Sequence, residues 1–178
     1  MSELGDLLLA VHDGFDAAGL PHAIGGAIAL GYCTLEPRGT RDLDMNVFVP
    51  TTRVKDVFAA LPAGVAFSGL DLENAERDGQ VRLWCGQTPV DLFFSVLPFH
   101  EQVAREVRQV SFEGRTVPVV GCGTLAVFKA MYARPRDWVD IEAMVEARAI
   151  DIDEAKRWVI EMVGEGDDRV AKLEALRP

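Results

Sequence analysis

The stretch PRGTRDLDMNVFV, residues 37–49, decides the reading of this chain. Leu43, Met45, Val47 and Val49 alternate with Asp42, Asp44 and Asn46. Successive side chains of a strand point to opposite faces, so the first set describes a buried face and the second a polar one. Asp42 and Asp44 therefore project the same way, roughly 6 to 7 Å apart, and can address one point in space. A third carboxylate, Asp91, lies inside the apolar run TPVDLFFSV (88–96). If that strand neighbours the first, three acids converge. An acid among Val90, Leu92, Phe93 and Phe94 is costly unless it is paired or metal-bound. Arg82, shortly before it, is a partner that would satisfy it structurally.

Two such charges about 4 Å apart repel by roughly 4 kcal/mol at an effective dielectric near 20. Protonation or a bound cation relieves this. Oxygen ligands without a His or Cys cluster favour Mg²⁺ or Mn²⁺ over zinc. Carboxylates holding two such ions form a clamp for in-line phosphoryl transfer, one ion activating the attacking oxygen and the other steadying the leaving group. The plain alternative, in a chain this acidic, is a solvated strand end.

Outward from this stretch, periodicity and turn chemistry predict an amphipathic helix over 3–18, with Gly19 at its C-terminal end, and a short strand in PHAIGG (21–26). A helical pattern resumes in AIALGY, and a further helix is expected over 52–60. Residues 62–80 carry turn chemistry and little periodicity, and are expected to form a loop with at most a short edge strand. Strands at 81–85 and 89–96 make a hairpin across Gly86 and Gln87. A helix near 100–107 precedes a second hairpin turning at Glu113 and Gly114, with TVPVV as its return strand. From Gly123 onward the pattern is helical, ending in a polar amphipathic tail to Pro178, and Asp151 with Glu154 marks the start of one of these helices. Mixed strands and helices followed by helices alone predict an α+β fold: a core over 1–98, then a hairpin plus helical segment over 99–178.

The chain has 178 residues, 49% of them hydrophobic and 26% charged, which suits an ordinary globular core. Its net charge of −10 argues against duplex DNA and anionic lipid as partners, because such binding rests on many Lys and Arg contacts to phosphate. Cys33, Cys85 and Cys122 are odd in number and far apart, so neither a disulfide framework nor a zinc site is expected. With no basic leader and no apolar run of roughly 20 residues, the expectation is a reduced, soluble, unprocessed cytoplasmic chain. His12, His22 and His100 suggest no alternative active site, and His22 is expected to be a packing residue.

The ordered set IGGAIAL, PRGTRDLDMNVFV, TPVDLFF and VPVVGCGTLAVFKAMYARPRDWVDIEAM, spanning Ile24 to Met144, resembles the DNA polymerase β-like nucleotidyltransferase superfamily. Within it the chain looks most like the small AbiEii/AbiGii-toxin-like bacterial proteins. The resemblance implies a mixed sheet flanked by helices and transfer of a nucleoside monophosphate from an NTP to a hydroxyl acceptor (a tRNA 3′ end, a protein side chain or a small molecule), with Mg²⁺ or Mn²⁺ as cofactor. It implies Asp42, Asp44 and Asp91 as catalytic and metal-binding residues, with Asp91 holding the catalytic metal or deprotonating the acceptor. Gly25 and Gly26, Arg38, Thr40 and Lys129 are implied at the nucleotide, the glycines through backbone N–H groups at a helix N-terminus. A plain turn for the glycines and a solvated helix face for Lys129 stand as alternatives. Arg134, Arg136, Asp137 and Asp140 match the family's R-x-R-D-x-x-D, and their spacing favours a salt-bridge lattice between helices over catalysis. The toxin-like branch implies a cognate antitoxin protein as partner. The chain departs from the family's pattern between Gly26 and Asp42, where Tyr32, Cys33 and Pro37 replace a more usual His-Gly, and it lacks a large second domain. A non-catalytic nucleotide-binding or protein-interaction module on the same fold is the alternative function.

Overall fold

The structure, a computed structural model, describes residues 3–177. It divides into two compact units, one made of residues 1–26 and 39–120, the other of 27–38 and 121–178.

The first unit is built on a seven-stranded mixed sheet. Its strands are β1 (His22–Ile24), β2 (Leu43–Val47), β3 (Val65–Ala66), β4 (Gln80–Cys85), β5 (Thr88–Phe94), β6 (Arg108–Phe112) and β7 (Arg115–Val119). Their spatial order is β3-β4-β5-β2-β1-β7-β6. The alternation read in residues 43–49 positions the central pair. β2 runs parallel to β5 with Leu43 beside Val90, Met45 beside Leu92 and Val47 beside Phe94, and all six side chains are buried. Registered neighbours share a face, so a slip of one residue would carry this whole apolar set to the wrong side. The second hairpin joins the same sheet, because β7 pairs in parallel with β1. The boundary expected at 98/99 therefore falls inside the first unit.

Both hairpin turns follow from backbone chemistry. Glu113 and Gly114 both have positive φ, at 48° and 80°, as a two-residue turn of the I′ kind requires. Gly86 opens the other turn at φ 58°. Helix α1 (Glu3–Ala17) places Leu8, Val11 and Phe15 in the core. His22, read as a packing residue, is buried: its ring stands edge-on to Phe15 and its Nε2 lies 2.8 Å from His12 Nδ1. Helix α2 (Gly26–Thr34) starts at the last residue of the unit's first segment. A 3₁₀ turn at Thr51–Arg53 leads into α3 (Val54–Ala59).

Residues 62–80 contain the short edge strand allowed for, β3 at the margin of the sheet, but the remainder is not the expected loop. It holds a helix, α4 (Gly69–Asp78). Ser68 and Asp71 form a reciprocal capping box at its start, and Gly79, at φ 68°, ends it in the left-handed conformation. The start and stop signals were in the sequence. Only Ala75 is fully buried in this helix, so its periodicity was too faint to read. Helix α5 (Phe99–Arg105) then precedes the second hairpin.

The second unit is helical: α6 (Cys122–Tyr132), α7 (Pro135–Glu146), α8 (Ile152–Val163) and α9 (Asp168–Ala175), together with most of α2. Pro135 occupies the first turn of α7, where its missing N–H costs nothing. Asp151 caps α8 by accepting from the amides of Asp153 and Glu154. Helix α9 forms the expected amphipathic tail; the final residue, Pro178, lies outside the described residues, as do Met1 and Ser2. No helix among the described residues is long and apolar enough to cross a membrane.

The expectation of three reduced thiols is corrected. Cys33 and Cys122, 89 residues apart, are joined by a disulfide with a Cα–Cα distance of 5.6 Å, which ties the end of α2 to the first residue of α6. Sequence distance concealed the pair because α2 and α6 meet only in the folded unit. Cys85 keeps a free thiol. A cross-link closing a loop of this size stabilises by about 4.5 kcal/mol in the chain-entropy account. Reductant is expected to lower the melting temperature of the wild-type chain and to leave that of Cys33→Ser unchanged, as read by differential scanning calorimetry.

Candidate active site

β2 carries Asp44 on the face opposite its buried apolar residues. In the parallel ladder Asp44 stands beside Asp91 of β5, and in the antiparallel ladder Asp91 stands beside Arg82 of β4. Three adjacent strands thus present a polar row: acid, acid, base. The expected neighbourhood of Asp44 and Asp91 is present. It comes with a cation attached.

Arg82 grips Asp91 through both ends of its guanidinium, Nε donating to Oδ1 at 2.7 Å and Nη2 donating to Oδ2 at 2.6 Å. The Asp91 side chain is 13% exposed and that of Arg82 53%. The hydrogen bond to Asp91 is the main reason the guanidinium holds its proton even more firmly than usual, and the charges of Asp91, Asp42 and Asp44 add to it. Asp42, just ahead of β2, accepts a short hydrogen bond from the Thr40 hydroxyl, so Thr40 braces the acid.

Gly25 and Gly26 lie against the same polar face. The Gly25 amide donates to the Asp44 carbonyl at 2.8 Å. A side chain at Gly25 would put its Cβ 2.7 Å from Asn46 Nδ2. At Gly26 the conflict is sharper: φ is +54°, and an added Cβ would lie 1.8 Å from Asp44 Oδ2. The Asp44 carboxylate occupies the space a side chain would take, so this turn tolerates glycine alone.

The remaining expected residues are engaged elsewhere. Lys129, on α6, is 7% exposed, and its ammonium donates to Asp140 Oδ2 at 2.6 Å, with Asp137 Oδ1 at 3.7 Å. Arg38 forks onto both oxygens of the same Asp140, the Nη2 bond measuring 3.0 Å. Asp137 and Asp140, 1% and 2% exposed, sit on one face of α7. Arg134 holds Asp137 through side chain and backbone. Burial works to raise the Asp137 carboxyl, but the bonds and charge of Arg134 and the charge of Lys129 outweigh it and the net shift is downward. The lattice expected from spacing is therefore present within the helical unit, with two changes of membership. Arg38 and Lys129 supply the cations on Asp140, and Arg136 is exposed. Neither Arg38 nor Lys129 was legible as a lattice member, because their partner lies 102 and 11 residues away.

Among the described residues no three His, Cys, Asp or Glu side chains gather closely enough to share a metal ion. The expected three-acid cage is not assembled in this arrangement. The donor set still suits a hard dication: its oxygens are carboxylates, and the row already attracts and holds a cation, the Arg82 guanidinium.

Similar folds are found among solved structures that include a nucleotidyltransferase-like protein and an antibiotic-resistance factor. The solution structure of the antibiotic-resistance factor ANT(2'')-Ia matches with a TM-score of 0.62 at 16% identity, over 97% of this chain and 95% of that one. The crystal structure of ANT(2'')-Ia in complex with adenylyl-2''-tobramycin gives 0.58 at 18% identity, over 99% and 98%. An antigenic nucleotidyltransferase-like protein from Paracoccidioides brasiliensis gives 0.54 at 16%, over 97% and 93%. No family model matches the chain, and no curated protein matches it. At these identities the likeness establishes the fold: a nucleotidyltransferase-type mixed sheet with flanking and C-terminal helices.

Two substitutions test the packing described here. Gly26→Ala forces a strained φ and a collision with Asp44, and is expected to cost about 1 to 3 kcal/mol in urea denaturation. Asp140→Ala strands the buried Lys129 ammonium and is expected to cost about 3 to 5 kcal/mol by the same measurement.

Proposed function

We propose that the chain is a metal-dependent nucleotidyltransferase that moves a nucleoside monophosphate from an NTP to a hydroxyl acceptor. The observation that carries this reading is the registered pair Asp44 and Asp91 on adjacent parallel strands, with the Gly25–Gly26 turn laid against Asp44. An acid on each of two neighbouring strands, on one face, with glycine enforced beside Asp44, suits a phosphate-transfer site better than a solvated sheet surface.

In this reading Asp42 and Asp44 would hold Mg²⁺ or Mn²⁺, with Asp91 as the third ligand or as the base. The dication supplies neutralisation of the triphosphate charge. The acceptor oxygen bonds to the α-phosphorus, the bond from that phosphorus to the bridging oxygen breaks, and pyrophosphate leaves with the electron pair. The acceptor's hydroxyl proton passes to Asp91. Thr40 steadies Asp42 throughout. The Gly25 N–H is committed to the Asp44 carbonyl, so the backbone N–H groups from Gly26 onward, at the start of α2, are proposed to face the triphosphate. Arg38 and Lys129, each engaged with Asp140, are proposed to hold the helical unit together rather than to bind the nucleotide.

Among acceptors, a small molecule is favoured, because a protein of the same fold and nearly the same length has been captured with an adenylylated small molecule. A tRNA 3′ end and a protein side chain are the other acceptors. A toxin–antitoxin role extends the proposal to a neutralising protein partner.

The Arg82–Asp91 pair favours a second reading, a non-catalytic module on the same fold that binds nucleotide or a protein partner with Asp91 permanently neutralised. One experiment separates the two. Incubation with Mg²⁺, α-labelled NTPs and cell extract is expected to give a labelled product with the wild-type chain and none with Asp42→Ala/Asp44→Ala. Label transfer undiminished in the double variant would overturn the catalytic assignment. NTP binding by calorimetry without transfer in any extract would establish the module.

A further inference from the structure

Arg82 has no part in the chemistry proposed above, yet it is the group most intimately placed on the acidic row. It lies on β4, directly across from Asp91, and takes both carboxylate oxygens. A carboxylate engaged by a bidentate arginine has its strongest acceptor directions filled. Each oxygen keeps one further lone pair, but the guanidinium charge opposes a dication there, so Asp91 becomes a full ligand or base when the guanidinium leaves. The exposure pattern allows this: the acid is largely covered, whereas the arginine side chain is 53% exposed and can swing outward without disturbing the core. Asp42 and Asp44 also act on the same guanidinium charge, so it meets the electrostatic demand of the whole row while the ion is absent.

We propose that Arg82 is a positioning residue that competes with the divalent ion for Asp91, keeps the free ion off the acidic row, and yields Asp91 when a metal-bound triphosphate arrives. The inference rests on the nucleotidyltransferase reading and adds to it an order of events. A free dication must displace a cation that then loses its bidentate partner and gains none in exchange. A metal-bound triphosphate brings that partner with it, because its phosphate oxygens accept the fork-shaped donor that Asp91 releases. Arg82 thus links occupancy of the metal site to the presence of nucleotide, and discriminates against ion alone.

The test is equilibrium binding of Mn²⁺, followed by its electron paramagnetic resonance signal, with and without a non-hydrolysable triphosphate analogue. It is run on the full-length wild-type chain, Arg82→Gln, Arg82→Lys and, as a control for net charge, Arg115→Gln. Arg115 belongs to the same sheet but pairs with Asp13, outside the acidic row. Arg82→Gln is expected to bind Mn²⁺ alone about tenfold more tightly than wild type, within the usual range for coupled ligands. Arg82→Lys should fall between them, and Arg115→Gln should match wild type. The analogue should tighten Mn²⁺ binding by a larger factor in wild type than in Arg82→Gln. Equal Mn²⁺ affinity in wild type and Arg82→Gln, or the same gain in Arg115→Gln, would overturn the proposal while leaving the nucleotidyltransferase reading intact. Absence of Mn²⁺ binding in every variant, with and without the analogue, would overturn both. Circular dichroism of each variant confirms that the fold survives.

Discussion

The structure depends on one pairing: β2 against β5, parallel and in register. A strand shows its two faces to two environments, so a single alignment does two jobs. It sets Leu43, Met45 and Val47 against Val90, Leu92 and Phe94 in the core, and by the same geometry it sets Asp44 beside Asp91 on the other face. The hydrophobic effect enforces the register, since a one-residue slip of β2 would expose Leu43, Met45 and Val47 and bury Asp44. The acids do not bring themselves together; two like charges would part if free. Apolar burial on the opposite face holds them there, and Arg82, delivered by the short β4–β5 hairpin, relieves the repulsion.

What the sequence disclosed tracks the range of the interaction concerned. Strand parity in residues 43–49, the two hairpin turns and the cap at Asp151 are local, and each could be read from a few consecutive residues. The neighbourhood of Asp44 and Asp91 was legible as a condition, since Asp91 inside an apolar run demanded a partner of some kind and Arg82 was one of the few cations near it. Helix α4 was overlooked because it is a surface helix with one fully buried residue, its boundaries written in Ser68, Asp71 and Gly79 rather than in periodicity. The disulfide and the Arg38–Asp140 pair were invisible for a different reason. They join residues 89 and 102 positions apart, and nothing short of the folded helical unit brings them together.

The chain's acids serve two purposes that can be told apart by their surroundings. Asp137 and Asp140 lie at the bottom of the helical unit's polar network, 1% and 2% exposed, with several cations donated to them. Each buried acid there is answered by more than one cation, and removing Asp140 takes from the buried Lys129 ammonium its nearest counter-charge. Lys129 belongs to this class despite a sequence position that suggested a ligand. Asp42, Asp44 and Asp91 belong to the other class: none is fully buried, and they share a sheet face with a half-exposed arginine.

That contrast bears on why Asp91 stands in a strand at all. Aspartate is among the residues least suited to strand interiors, and a change to threonine or valine at this position would favour the sheet. A compensating interaction would have to be strong to make the acid a structural asset. The pair it forms is with an arginine more than half exposed, and ion pairs open to water on one side are screened and contribute on the order of 0 to 1 kcal/mol. The glycines tell the same story from across the turn, because Gly26 forgoes any side chain in order to leave room for the Asp44 carboxylate. Two positions that break local preference for so little stability, adjacent in space and facing the same way, match the pattern expected where a fold gives up stability for a site. Asp140, by contrast, is answered within the fold by Lys129 and Arg38, which is why a carboxylate of the same kind on α7 needs no functional account.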